Sequence, residues 1–206
     1  MLGGKKLIYE VKGMSIKKRM GLDIDGTITC PSTFIPYLNQ HFKKSLTLDD
    51  LTVYDLTTVL NISEEQFWEW MGHYEGTIYQ EAELAPHVEN TLHEWNQSHD
   101  LIYITARRNH LADITTDWFK TNSIPFDHIE LVGKHDKIEA IREHQLDIFF
   151  EDKHDNAVAI AEEFNIPVIL MDTPYNRLTI PDNVIRAQNW KDAKAWVDQW
   201  LQNSEN

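Results

Sequence analysis

A chain of 206 residues, 42% hydrophobic and 25% charged, can bury one substantial α/β core, or a core with a small inserted domain. Its formal net charge of −14 argues against a duplex nucleic-acid partner, whose phosphates such a surface repels. No apolar run reaches the length of a membrane helix, and a single cysteine, Cys30, removes an internal disulfide framework and a multi-cysteine zinc site.

The opening stretch MLGGKKLIYEVKG is basic but has neither a long apolar core nor a small-residue cleavage site, so a cytoplasmic protein is expected. Residues 1–18 read as an N-terminal extension. Glu10-Val11-Lys12-Gly13 can be encoded by a purine-rich stretch resembling a ribosome-binding site, which suggests that translation starts at Met14. A short edge strand over Leu7–Val11 is the competing reading. N-terminal sequencing of the native protein decides between the two starts.

From Arg19 onward the elements follow in order. Met20–Ile24 is an apolar run ending in carboxylates, the pattern of a buried strand followed by a loop. Residues 32–83 form a different block, rich in aromatics and helical signals. Within it, Ser63-Glu64-Glu65-Gln66 is a capping box opening a helix through Trp70. Pro86 stands where a helix can begin, with Val88, Leu92 and Trp95 at helical spacing over His87–Gln97. Strand Leu101–Thr105, helix Leu111–Lys120, strand Ile129–Val132, helix Lys137–His144, strand Asp147–Phe150, helix Asn156–Phe164 and strand Val168–Met171 follow. Asp192–Leu201 is the last helix.

This alternation predicts right-handed βαβ units, hence a three-layer α/β/α parallel-sheet (Rossmann-like) core over residues 19–31 and 84–206. The block at 32–83 interrupts the first crossover and reads as an inserted helical cap. Ligands of such sheets bind beyond the carboxyl ends of the strands, and polar clusters fall there three times: Asp23 to Thr27, Thr105 to Arg108, and Glu151 to Asp155.

Each cluster has a chemical reading and a plain one. Asp23 and Asp25, one residue apart, point the same way past the strand, and Gly26 allows a turn; a solvated acidic loop is the plain alternative. Thr105-Ala106-Arg107 offers a hydroxyl and backbone amides able to grip a phosphate oxygen, or is an ordinary β-branched strand end with a surface arginine. Glu151 and Asp152 at an apolar strand end repel each other and are tolerated if a cation is bound. Oxygen donors without cysteine suit a hard ion such as Mg²⁺. A helix N-terminus decorated with acids to suit the dipole is the plain reading for Asp155, and it explains Glu151 and Asp152 less well. Lys137 and Lys134 both lie near a helix start, where a lysine opposes the dipole. Lys137 is favoured as the balancing charge because it directly opens the helix leading to the acidic strand. The ten histidines are scattered, with no HExxH pair, and read as surface or partly satisfied side chains.

Asp23/Asp25/Thr27, Thr105, Lys137 and Glu151/Asp152/Asp155, in this order, resemble the four motifs of the haloacid dehalogenase-like superfamily. The position of the insert is similar to that family's type-1 cap. DIDGTITCPS, FWEW, LIYITAR and the late TPYN followed by NW resemble the 5′(3′)-deoxyribonucleotidase-like group of small bacterial nucleotidases. The chain departs from characterised members by having Thr105-Ala106-Arg107 in place of Thr-Ser-Pro, and Glu151-Asp152 in place of two aspartates.

The resemblance implies a Mg²⁺-dependent phosphomonoester hydrolase in which Asp23 takes the phosphoryl group and Asp25 acts as acid and base. It implies Mg²⁺ held by Asp23, the Asp25 main-chain carbonyl and Asp152, with Glu151 and Asp155 as secondary candidates. Thr105, Ala106 and Lys137 would hold the phosphate, and Arg107 would replace the missing hydroxyl against the substrate. A nucleoside monophosphate is the expected partner. A sugar phosphate, or a module that only binds phosphate, are the alternatives. The cap's aromatics, Phe34, Tyr54, Phe67, Trp68, Trp70, Tyr74 and Tyr79, serve base stacking or the cap's own core. Trp68 and Trp70 cannot share one helix side, and Phe34 is the best single candidate for stacking on a base.

Overall fold

The computed structural model describes residues 16–204, so the Met14 start and the Leu7–Val11 strand lie outside the described residues. Six parallel strands form one sheet: β1 (Arg19–Leu22), β2 (Asp100–Thr105), β3 (His128–Leu131), β4 (Ile148–Glu151), β5 (Val168–Met171) and β6 (Val184–Ala187), in the order β3-β2-β1-β4-β5-β6. Parallel pairs need crossovers; α-helices supply them on both faces up to β5, giving the α/β/α layering expected, and a loop with one short 3-10 turn, Pro174–Asn176, leads on to β6.

The period-two alternation of the strands sorts the core. Met20, Leu22, Leu101, Tyr103, Ile148, Phe150 and Ile169 face α4 (Val88–Trp95), α5 (Ala112–Thr121) and α8 (Trp190–Ser204). Ile102, Ile104, Phe149, Val168 and Leu170 face α6 (Ile138–His144) and α7 (His154–Phe164). Gly21 lies on this second face. A Cβ there would come within 2.3 Å of Leu146 Cδ1 and 2.4 Å of Phe149 Cδ2, so the close fit of Leu146 and Phe149 over β1 requires glycine.

Between β1 and α4 the chain leaves the sheet and returns at a narrow neck. Thr29 and Leu84 form an isolated antiparallel bridge, Cys30 N–H donates to the Glu83 carbonyl (2.8 Å) and Ala85 N–H to that of Ile28 (2.9 Å). The excursion holds α1 (Ile35–Phe42), α2 (Leu56–Leu60) and α3 (Glu64–Gln80). Their apolar faces share one cluster, Leu38, Leu60, Trp70, Met71, Ile78 and Tyr79, which Leu111 joins from the strand-bearing part. Ser63 caps α3 as its sequence indicated: its Oγ accepts from Gln66 N–H (3.2 Å), and Gln66 Oε1 accepts from Ser63 N–H (3.0 Å).

Several boundaries differ from the sequence reading. Helix α3 runs ten residues past Trp70, through Gly72 and Gly76, because Met71, Glu75, Ile78 and Tyr79 keep burying one face. Pro86 stays outside α4, whose N-cap His87 takes a left-handed conformation (φ 72°). Helix α8 starts earlier, at Trp190, where Asn189 Oδ1 accepts from the Lys191 and Asp192 amides. Strand β6 escaped notice because an edge strand with Arg186 in its four residues lacks a continuous apolar signature. Among the described residues no helix is long and apolar enough to cross a membrane.

Candidate active site

The carboxyl ends of β1, β2 and β4 meet at one place, and the loop after β1 is fixed first. Asp23 N–H extends the sheet by donating to the Phe150 carbonyl (2.9 Å), and the Ile24 carbonyl then accepts from Ile28 and Thr29 amides, both at 3.0 Å. Trp190, buried under this turn, donates its indole N–H to the Thr27 carbonyl (3.0 Å). Gly26 sits at φ 83°, and a Cβ there would lie 2.5 Å from Asp152 Oδ2. Glycine therefore lets the loop touch the carboxylate at the end of β4.

Four ionisable side chains are buried side by side there: Asp23 (5% exposed), Lys137 (3%), Glu151 (1%) and Asp152 (3%). Lys137 Nζ donates to Asp23 Oδ1 and to Glu151 Oε2, the latter at 2.8 Å. Glu151 Oε1 accepts from the amides of Asp152 and Lys153 (3.1 Å each), and Asn156 Nδ2 adds a bond to Oε2 (3.2 Å). Glu151 is thus fully occupied in holding Lys137 and the turn. Asp152 Oδ2 accepts from the Tyr175 hydroxyl (2.5 Å), while Asn176 Nδ2 bonds the Asp152 carbonyl (2.6 Å) and the Met171 carbonyl (2.7 Å).

The electrostatics are lopsided. One oxygen from each of Asp23, Glu151 and Asp152 lies within 4.8 Å of the others, against a single ammonium. Burial, reinforced by Glu151 and Asp25 and opposed by Lys137, pushes Asp23 up to about 7. Burial, then Glu151 and Asp23, raises Asp152 well above the ordinary range. Glu151 goes down, because the Lys137 charge and its hydrogen bonds outweigh burial. Burial disfavours the Lys137 ammonium, yet Asp23 and Glu151 more than offset it and raise its pKa. Carboxylates that resist ionising in each other's company, with only oxygen donors around them, make a donor set that fits Mg²⁺.

Asp25 stands in another setting. Arg107 grips it with two parallel hydrogen bonds, Nε to Oδ2 (2.8 Å) and Nη2 to Oδ1 (2.6 Å). The guanidinium is buried, reaches Thr115 Oγ1 (3.2 Å) and stacks 4.2 Å from the Tyr79 ring of α3. Burial disfavours its charge, but the Asp25 carboxylate overrides this and raises the Arg107 pKa further. Arg107, expected to contact the substrate, turns its fork inward onto Asp25 and is closed off from solvent. Thr105 Oγ1 accepts from Arg107 N–H (3.2 Å) and is buried at the end of β2, with Ala106 half-buried beside it.

Other expected residues separate. Lys134 is exposed and pairs with Asp136 (3.7 Å), so of the two lysines only Lys137 enters the site. The Asp155 side chain is 81% exposed and pairs with His154; it does not join the carboxylate trio. Phe34 meets Tyr79 edge-on, ring centroids 6.0 Å apart, and packs against the excursion's apolar cluster. Trp70 is buried while Trp68 is half exposed, as one helix demands of neighbours two apart.

A cleft of ≈ 370 Å³ opens where residues 52–54 of the excursion approach the loops after β4 and β5; Tyr54, Lys153, Tyr175 and Arg177 are among its walls. The Tyr54 ring lies 5.7 Å from that of Tyr175, and Lys153 Nζ sits 5.0 Å from its centroid. Beyond the cleft, Glu75 of α3 is buried; both of its carboxylate oxygens accept from Arg108 Nη2 (2.7 and 2.8 Å), and His110 Nε2 lies 2.9 Å from Oε1. Tyr175, Asn176 and Glu75 were not singled out by sequence reasoning. The Pro-Tyr-Asn turn at the end of β5 was the available signal for the first two.

Comparison with known proteins bears on this geometry. Residues 17–201 match the family model described as 5′ nucleotidase, deoxy (pyrimidine), cytosolic type C protein. A protein of Halalkalibacterium halodurans named "putative nucleotidase" is 65% identical over 188 residues, 91% of this chain and 96% of its own. A nucleotidase of Clostridium acetobutylicum is 33% identical over 184 residues, 89% and 95% of the two chains. Among solved structures, a haloacid dehalogenase-like family hydrolase from Streptococcus pneumoniae superposes with TM-score 0.65 at 20% identity, covering 90% of this chain and 98% of its own. That likeness concerns the fold.

Proposed function

The chain belongs to the 5′ nucleotidase, deoxy (pyrimidine), cytosolic type C family, haloacid dehalogenase-like phosphoric monoester hydrolases, and from that premise we propose that it is a Mg²⁺-dependent 5′(3′)-(deoxy)nucleotidase acting through Asp23. The observation that carries this reading is the buried trio Asp23, Glu151 and Asp152 around one ammonium, Lys137, at the carboxyl ends of the strands.

Asp23 and Asp152, with the main-chain carbonyl of Asp25, would hold Mg²⁺. When bound, the ion neutralises charge on the transferring phosphoryl group. Lys137 opposes the upward shift of Asp23 and so favours the ionised carboxylate that attacks. An Asp23 oxygen forms a bond to phosphorus as the ester P–O bond breaks, and Asp25 gives its proton to the departing nucleoside oxygen. Asp25 then takes a proton from water as that water attacks the acyl phosphate, freeing phosphate and restoring Asp23. Thr105, the Ala106 amide and Lys137 bind the phosphoryl oxygens.

Arg107 fixes the orientation of Asp25, so the acid–base carboxylate is positioned by its neighbour and not by solvent. A bidentate fork sets both distance and plane. Phe34 and Tyr54 are the aromatic surfaces proposed to meet the base.

The test is phosphate release from deoxy- and ribonucleoside monophosphates, sugar phosphates and an aryl phosphate, with Mg²⁺ and with EDTA. EDTA-sensitive release greatest on nucleotides is the expected result. Release confined to sugar and aryl phosphates would discard the nucleotide specificity, and no release from any substrate would discard the hydrolase reading.

A further inference from the structure

A second cluster of metal-type donors lies at the opposite end of α6 from Lys137. Strand β3 is the outermost strand on its side of the sheet. His128 and Glu130, two apart on it, project from the same face. Helix α6 ends at His144, and Gln145 then takes a left-handed conformation (φ 49°) that turns the chain toward β4. His144 Nε2 lies 2.7 Å from Glu130 Oε2, and His128 Nε2 lies 3.9 Å from the same oxygen. The two imidazole centroids are 4.7 Å apart, and one donor atom from each of the three residues falls within 4.8 Å of the others.

A single His144–Glu130 hydrogen bond would account for one histidine. It leaves unexplained why a second imidazole gathers on the same carboxylate. A divalent cation accounts for all three groups: two neutral ring nitrogens and one carboxylate oxygen form a two-histidine, one-carboxylate set that leaves a position open for water. The last turn of α6 adds its partial negative charge on the same side. Nitrogen donors also select the ion. They favour zinc and its neighbours over Mg²⁺, which prefers the all-oxygen surroundings of Asp23 and Asp152.

We propose that His128, Glu130 and His144 form a binding site for a divalent transition-metal ion of the zinc class, separate from the carboxylate pocket. Helix α6 spans about 10 Å between the two. The ion ties the end of α6 to β3, and so steadies the helix whose other end presents Lys137 to Asp23. The site stands on its own donors and does not depend on the nucleotidase reading.

Equilibrium dialysis of the full chain against micromolar Zn²⁺, in millimolar Mg²⁺, followed by elemental analysis and a melting curve, tests this. The wild type should retain one zinc per chain more than His128→Ala or His144→Gln, with a zinc-dependent rise in melting temperature that both variants lose. His128 is half exposed, so His128→Ala keeps the fold even if the His144 change does not. Asp152→Asn, which alters only the carboxylate pocket, should keep that zinc. X-ray absorption at the zinc edge should show imidazole scattering. Equal zinc in the wild type and His128→Ala, no retained zinc, or loss only in Asp152→Asn would each overturn the proposal.

Discussion

The pocket behind Asp23 and the arm behind Asp25 start two residues apart in the chain and end in opposite electrostatic regimes. In the pocket, three buried carboxylates face one lysine. In the arm, one carboxylate meets one guanidinium in a two-bond fork, backed by Thr115 and the Tyr79 ring. The first is a charge surplus that a cation would complete. The second is already closed, and its product is orientation. In the proposed mechanism the surplus serves the metal and the nucleophile, while the pair holds the acid–base carboxylate in register.

The largest effect should come from removing the pocket's only positive charge. Lys137→Met leaves the Asp23 and Glu151 carboxylates buried without their cation, and breaking a buried pair in this way costs about 3–5 kcal/mol. Urea unfolding should show that loss, and turnover should vanish with it. A variant as stable as the wild type would mean that the pocket is not in surplus.

Metal and pH come next. Asp23, raised to about 7, keeps in the folded state a proton that the unfolded chain has already released above pH about 4. That contribution is present at acid pH and is lost as pH rises through 7, and the raised Asp152 acts in the same direction. Glu151, lowered, contributes in full above its ordinary pKa and leaves this window unchanged. The EDTA-treated protein should therefore lose stability between pH 5 and 8, with its melting temperature falling on the order of 5 °C. Mg²⁺ at a hundred times its dissociation constant should restore about 2.7 kcal/mol, more at pH 8 than at pH 6. Melting curves with and without Mg²⁺ at both pH values measure this; a metal-free protein that gains stability toward pH 8 would contradict it.

The balanced arm should give the smallest change in stability and a selective change in rate. Arg107→Lys keeps the charge but loses the fork. Because Asp25 is partly exposed, the cost should be only about 1–2 kcal/mol. The value of kcat should fall roughly tenfold or more while KM stays within about twofold, the mark of lost positioning. A large rise in KM with unchanged kcat would return Arg107 to the substrate.

What the sequence revealed follows the same division. Apolar runs at Leu101–Thr105, Phe149–Phe150 and Val168–Met171 announced buried parallel strands, and polar residues at their ends announced where a ligand site would be. Those signals are local. The direction of the Arg107 side chain is not: nothing within Thr105-Ala106-Arg107 says that its fork meets a carboxylate 82 positions away. Tyr175 and Asn176 reach Asp152 from the turn after β5, across 23 and 24 positions. Strand β6 gives no continuous apolar signal because Arg186 interrupts its four residues, and in α3 two glycines past Trp70 mask a buried face that only the fold completes. The histidines of β3 and α6 looked scattered for the same reason: three strand and helix positions converge only when the edge of the sheet is assembled.

The most direct test of the account is to mix the full chain with Mg²⁺ and a deoxynucleoside monophosphate, quench in acid within the turnover time, and map phosphoryl mass by peptide mass spectrometry. One phosphoryl group on the peptide containing Asp23, lost in Asp23→Asn together with turnover, is the predicted result. Turnover at the wild-type rate in Asp23→Asn, or a phosphoryl group carried elsewhere on the chain, would contradict it.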